Sequence, residues 1–176
     1  LLEEKEEGTL KRLLISPMPP NHLLFGKLIN ALIISVLQLV VLFVFSWLVF
    51  GLDITLDIPS LAIMILSTAY ACASFGIFLA ALSRSRKQVE SMSTIIILVM
   101  SAIGGSMIPL FIMPSFMRDI AIFSVNYWSI NGFYDIFWRK LPFQDVAINA
   151  VVLIAIGTVM ILISLPFYRK NILKVI

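Results

Sequence analysis

Residues 21–50 read Asn21-His22-Leu23-Leu24-Phe25-Gly26-Lys27-Leu28-Ile29-Asn30-Ala31-Leu32-Ile33-Ile34-Ser35-Val36-Leu37-Gln38-Leu39-Val40-Val41-Leu42-Phe43-Val44-Phe45-Ser46-Trp47-Leu48-Val49-Phe50. One charge, Lys27, stands near the start, and the rest is apolar or weakly polar. A helix crosses a bilayer with about 20 such residues. This run is longer, so its first turn is expected among the headgroups, with Lys27 reaching outward along its aliphatic stem. Three more runs of the same kind follow, giving expected transmembrane helices at 22–50, 60–83, 91–113 and 146–168. The fold class expected is therefore an all-α integral membrane protein.

Composition agrees. The chain of 176 residues is 60% hydrophobic and 13% charged, with a mean hydropathy of +1.03. One soluble core cannot hide that excess, since soluble domains carry about 25% charge. The net charge of +3 is split among clusters that flank apolar runs, which suits membrane topology and gives no nucleic-acid signal. With the N-terminus in the cytoplasm, the inner segments hold Lys5, Lys11, Arg12, Lys27, Arg84, Arg86, Lys87, Arg169, Lys170 and Lys174. The outer segments hold only Arg118, Arg139 and Lys140. That bias predicts a multi-pass protein of the cell membrane with both ends of this segment inside. The chain begins Leu1-Leu2-Glu3 without methionine, so it is expected to be part of a longer protein.

The spans carry little that could do chemistry. No Asp, Glu, Lys or Arg falls well inside them apart from Lys27, which argues against proton coupling within this segment. Asn30 and Gln38, with Ser35 between them, suit either hydrogen bonds between helices or the lining of a substrate path. Cys72, Gly76 and Ala80 recur every four residues, a small-residue stripe read as packing against another helix rather than as a ligand groove. Cys72 is the sole cysteine, which excludes an internal disulfide and a cysteine metal cluster. The sole histidine, His22, has no carboxylate or cysteine near it in sequence, so no catalytic residue and no metal site are expected.

Residues 104–145 are too apolar for a solvated loop and too broken for a simple span. They hold Gly104, Gly105, Pro109 and Pro114, then a succession of Phe, Tyr and Trp. A helix dipping into the outer leaflet, then an interfacial helix at about 130–139, is the expected outer hairpin.

Residues 1–15 read as a short amphipathic helix, with Leu10, Leu13 and Leu14 on one face and charge on the other. Pro17, Pro19 and Pro20 must end it, forming an elbow, and Asn21 is placed to cap the next helix. The four glutamates, Glu3, Glu4, Glu6 and Glu7, are repelled by anionic headgroups and suit a basic protein partner.

The run Glu4-Lys5-Glu6-Glu7-Gly8-Thr9-Leu10, then Leu13-Leu14-Ile15-Ser16-Pro17, then Gly26-Lys27, resembles the signature of permease subunits of type-2 ABC exporters. Their pattern is roughly E-R-E-x-G-T-L, then L-L-x-[ST]-P, then G-K. Lys5 stands where arginine is commoner, and the charge is kept. The Gly-containing third span, its Pro-containing outer end, the aromatic hairpin and the final span also resemble that family, so the likeness covers essentially the whole chain. The resemblance implies that residues 1–15 are a cytoplasmic coupling helix, with Glu4, Lys5, Glu6, Glu7, Gly8 and Thr9 meeting an ABC ATPase subunit. It implies that the spans are the third to sixth of six, that 104–145 is a re-entrant hairpin, and that two permease copies pair as a homo- or heterodimer. ATP and magnesium would sit on the partner; the chain has no G-x-x-x-x-G-K-[ST] phosphate loop. The alternative from the residues is a non-transporting scaffold or sensor that docks a soluble partner through the same helix. An integral-membrane enzyme has no support.

Overall fold

The computed structural model describes residues 20–83, 85–109 and 112–171. They form six helices: α1 (Pro20–Phe50), α2 (Ile58–Leu82), α3 (Arg86–Ile103), α4 (Ser115–Ala121), α5 (Val125–Phe137) and α6 (Phe143–Asn171). No strand occurs among the described residues. The expected all-α membrane fold is present at that level. The coupling helix at 1–15 lies outside the described residues.

Among the described residues, three helices are long and apolar enough to cross a membrane: His22–Phe50, Ile58–Leu82 and Phe143–Tyr168. The sequence reading had a fourth at 91–113. There the helix instead starts at Arg86, carries Arg86, Lys87 and Glu90 in its first turns, and stops at Ile103. Gly104 and Gly105 end it. Gly105 takes φ 95°, a conformation that costs a side-chain-bearing residue steric strain. At α1 the helix begins one residue earlier than Asn21, so Asn21 lies within the first turn and is not the cap assigned to it. Pro20 is tolerated as first residue because the amide it lacks would have no helical acceptor.

The centre of the bundle is α2. Within its most apolar 18-residue stretch 56% is buried, against 11% for α1. Apolar burial alone does not drive helices together in lipid, so contacts must come from close approach and hydrogen bonds. Gly157 of α6 supplies the approach: a Cβ there would lie 2.8 Å from the Tyr70 ring and 3.2 Å from Ser74 Oγ. The Tyr70 and Thr158 hydroxyls share a hydrogen bond of 3.1 Å. The predicted stripe on α2 does not make this interface. Cys72 and Gly76 are exposed, and a Cβ on Gly76 would meet nothing. Ala69, Ala73, Ser74, Ile77 and Ala81 are buried instead. Periodicity identified small faces on α2, but the face that packs is set by where Gly157 and Tyr70 meet.

Tyr70 on Gly157, with Ala81 and Tyr168 in one core cluster and Leu61 and Val146 in another, makes α2 and α6 parallel. The chain therefore returns the length of the bundle between residues 83 and 143. It does so in two pieces, α3 and α5. No residue of α3 is buried; α5 packs into the bundle.

Candidate functional site

The aromatic segment expected at the interface is the helix α5, and it is seated in the bundle. Gly132, Asp135 and Ile136 are buried on it. Gly132 is the seat: a Cβ there would run into the thioether end of Met64 and lie 3.2 Å from Asn149 Cβ. Met64 is fully buried, so α2, α5 and α6 meet at this point, and a methyl group would displace the end of the Met64 side chain. Ile136 lines a cavity of about 210 Å³ with Leu56, Asp57, Lys140 and Leu141. With Met64 against Gly132 and Asp57 near Ile136, α5 runs antiparallel to α2.

Asp135 is 6% exposed. Its Oδ1 accepts from Arg139 Nη1 at 2.7 Å and its Oδ2 from Asn149 Nδ2 at 2.8 Å. A buried carboxylate is tolerable when it is paired and hydrogen-bonded, and these two donors do that from just past the end of α5 and from α6. Phe43 of α1 completes the seat, with its ring centroid 4.9 Å from Phe133 and 5.6 Å from Phe137.

The other end of α5 is tied to α3 by neutral groups. Ser124 Oγ donates to the Met100 carbonyl at 3.1 Å. Asn126 Nδ2 donates to Ser106 Oγ at 3.0 Å and to Ser101 Oγ at 3.3 Å. Gly104 makes room for this joint, since a Cβ there would lie 2.5 Å from the Met100 carbonyl oxygen, 2.5 Å from Ser124 Oγ and 2.7 Å from Asn126 Cβ. One turn from Met64 and Gly132 along their helices lie Thr68 and Ser129. Their hydroxyls are buried with no hydrogen-bond partner among the described residues.

At the Asp57 end, short loops carry charge. The Thr55 hydroxyl and then its amide, both donating to Asp53 Oδ1, hold that carboxyl below its ordinary range, with a smaller contribution from Lys140. Asp57 caps α2: the Ser60 hydroxyl, then the Ser60 amide, donate to it and lower its pKa. A groove of about 390 Å³ runs between α1, α2 and α6, lined by Leu32, Ile63, Leu66, Ser67, Tyr70 and Ile154.

The candidate residues from the sequence fall in different places. Glu4, Lys5, Glu6, Glu7, Gly8 and Thr9, with Pro17 and Pro19, lie outside the described residues; Pro20 opens α1. Asn30 and Gln38 are exposed on α1 and make no hydrogen bond to another helix among the described residues. Of the hairpin residues, Gly104 is the close-packed joint and Gly105 the turn. Pro109 accepts from the Ile112 amide at 3.0 Å, and Pro114 from the Met117 amide at 3.0 Å at the start of α4. Asp135, Asn149 and Gly132 were not singled out in the sequence. The sequence shows an acid and a base four apart at Asp135 and Arg139 and a lone amide at Asn149 early in the last span, but nothing in it pairs Asp135 with Asn149. Among the described residues no group of three or more His, Cys, Asp or Glu side chains is placed to hold a metal.

Two curated relatives align with nearly all of this chain. Each is an inner membrane transport permease YhhJ, one from Escherichia coli (strain K12) and one from Shigella flexneri, 27% identical over 176 residues and covering 98% of this chain. The alignment takes in 46% of each relative, so the chain spans about half their length. No solved structure matches. The model of the ABC-2 family transporter protein family matches residues 1–165, from the Glu-rich front through the first two candidate spans and most of the third in α6. The chain thus belongs to the ABC-2 transporter family and is a membrane component of it.

Proposed function

We propose that this chain is the permease part of an ATP-driven exporter, powered by a separate ABC ATPase subunit. The observation that carries the reading is the family match, because it includes residues 4–9 as well as the spans. In this reading Glu4, Lys5, Glu6, Glu7, Gly8 and Thr9 contact the ATPase, which holds ATP and magnesium. The Glu side chains meet basic groups, and Gly8 permits close approach. Closure of two ATPase subunits pushes residues 1–15; the turn at Pro17, Pro19 and Pro20 passes the push to α1.

The spans α1, α2 and α6 cross the membrane, and α3 with the α4–α5 hairpin makes the return passage. Both ends of this segment face the cytoplasm, which places Asp53, Asp57 and Lys140 outside. Two copies pair, and Asn30 and Gln38 on the exposed face of α1 contribute to the path between them. A homo- or heterodimer serves equally well.

The test is Glu4→Lys with Glu6→Lys in the full-length protein. The expected result is loss of the co-purifying ATPase and of its membrane-stimulated hydrolysis, with the permease still inserted. Retention of both would sink the assignment. Recovery of a kinase or other regulator in place of an ATPase would favour a scaffold or sensor.

A further inference from the structure

The helix α5 is attached at its two ends by bonds of different kinds. At its C-terminal half are the bond from Asn149 of α6 to the Asp135 carboxylate, the Gly132 seat on Met64, and the contacts of Phe133 and Phe137 with Phe43. At its N-terminal end are hydroxyl and amide hydrogen bonds to α3 at 3.1 and 3.3 Å and to Ser106 just beyond it at 3.0 Å. Charge-assisted hydrogen bonds are roughly twice as strong as neutral ones. Arg139 travels with Asp135, so the tie to α6 is the Asn149 bond; breaking it leaves a buried charged oxygen without its donor, a larger cost than losing a neutral partner. Two unpartnered buried hydroxyls, Ser129 of α5 and Thr68 of α2, lie between these ends, where α5 has the least polar hold on its neighbours.

We infer that Asp135 is a positioning residue: it makes the α6 end of α5 a fixed hinge, so that the hairpin opens by parting from α3 at Gly104, Ser124 and Asn126. Motion of α6 is then delivered to the hairpin as one body, and a gap forms between α3 and α5. The sense of this motion in transport rests on the permease reading above. The hinge itself does not.

Two buried positions at opposite ends of α5 report it. Val125 is 4% exposed and Ile136 is 3% exposed, so in the closed state neither is favoured for reaction. Val125→Cys and Ile136→Cys are made singly in the full-length protein, in membranes, with Cys72 and any other cysteine replaced by alanine. Each is labelled with a small charged methanethiosulfonate. Labelling of a buried thiol follows the open fraction, so Val125→Cys is expected to react about tenfold faster than Ile136→Cys. Adding Asp135→Asn is expected to raise the Ile136→Cys rate to that of Val125→Cys. Arg139→Gln keeps the Asn149 bond and gives a smaller rise; it serves also where Asp135→Asn does not insert. Equal rates in the parent background, a faster Ile136→Cys, or no response to either substitution would overturn the hinge. With a co-purified ATPase, ATP is expected to speed Val125→Cys alone. Failure to capture any ATPase would count against the permease reading and leave the hinge result standing.

Discussion

At the scale of single residues, the glycines sort by what surrounds them. A methyl group at Gly104 meets a backbone carbonyl at 2.5 Å, and at Gly157 it meets a tyrosine ring at 2.8 Å. Neither neighbour is a free chain end. Gly104→Ala and Gly157→Ala are each expected to destabilise by about 1–3 kcal/mol through overpacking, read as a lower unfolding midpoint in detergent. Gly76→Ala meets nothing within this chain, so the same measurement should show no loss and a gain of up to about 1 kcal/mol from helix propensity. A loss in the assembled protein, but not in the isolated chain, would mark the Gly76 face as one covered by another helix. Asp57 gives a pH-dependent case. Its folded pKa lies below its unfolded value because Ser60 bonds favour the ionised form. The stabilisation is therefore complete above the unfolded carboxyl range and is lost as pH falls through the folded value. Fraying at the start of α2, followed by amide exchange, should increase at acid pH, and Asp57→Asn should flatten that dependence.

At the scale of elements, the departure from expectation was concentrated between residues 91 and 139. Apolar content from Ser91 onward read as one continuous span, yet helix α3 ends at Ile103. The reason is tertiary: Gly104 must fit under Ser124 and Asn126, and Gly105 must turn. The aromatic run looked interfacial because Trp and Tyr favour that region. Within it the residues divide: Phe116, Phe123, Tyr134 and Trp138 are exposed, while Asp135 and Ile136 face the bundle. The ring of Phe43 is the clearest element-level contact, holding α5 against α1. Phe43→Ala is expected to cost about 3 kcal/mol and to expose α5 preferentially, seen as faster proteolysis between 122 and 142 than elsewhere.

At the scale of the whole molecule, α2 and α6 run parallel, with α5 antiparallel to both. Residues 51–57 and 138–142 therefore share one end of the bundle, and Ser83 and Ser85 lie at the other. Cysteines at Asp53 and at Lys140 are expected to be labelled by an impermeant reagent from the same side, and a cysteine at Gln88 from the opposite side. Labelling of Asp53 and Lys140 from opposite sides would contradict the parallel arrangement. The positive-inside bias adds which side is which: Gln88 is expected to be reached from the cytoplasm.

Membrane residence, the positions of three spanning helices and the family were legible in the chain of residues. They depend on local quantities: runs of apolar side chains that bury every backbone polar group in a helix, and a short charged motif before them. The α2–α6 contact surface, the packing of Gly104 against Ser124 and Asn126, and the Asp135–Asn149 clamp were not legible. Cys72, Gly76 and Ala80 form as good a small-residue stripe as the face that packs, and Asp135 has the same sequence surroundings as a solvated interfacial acid. Lipid gives helices no hydrophobic reason to choose one apolar face over another. The choice was made where Gly157 admits Tyr70 and Gly132 admits Met64, and those meetings exist only in three dimensions.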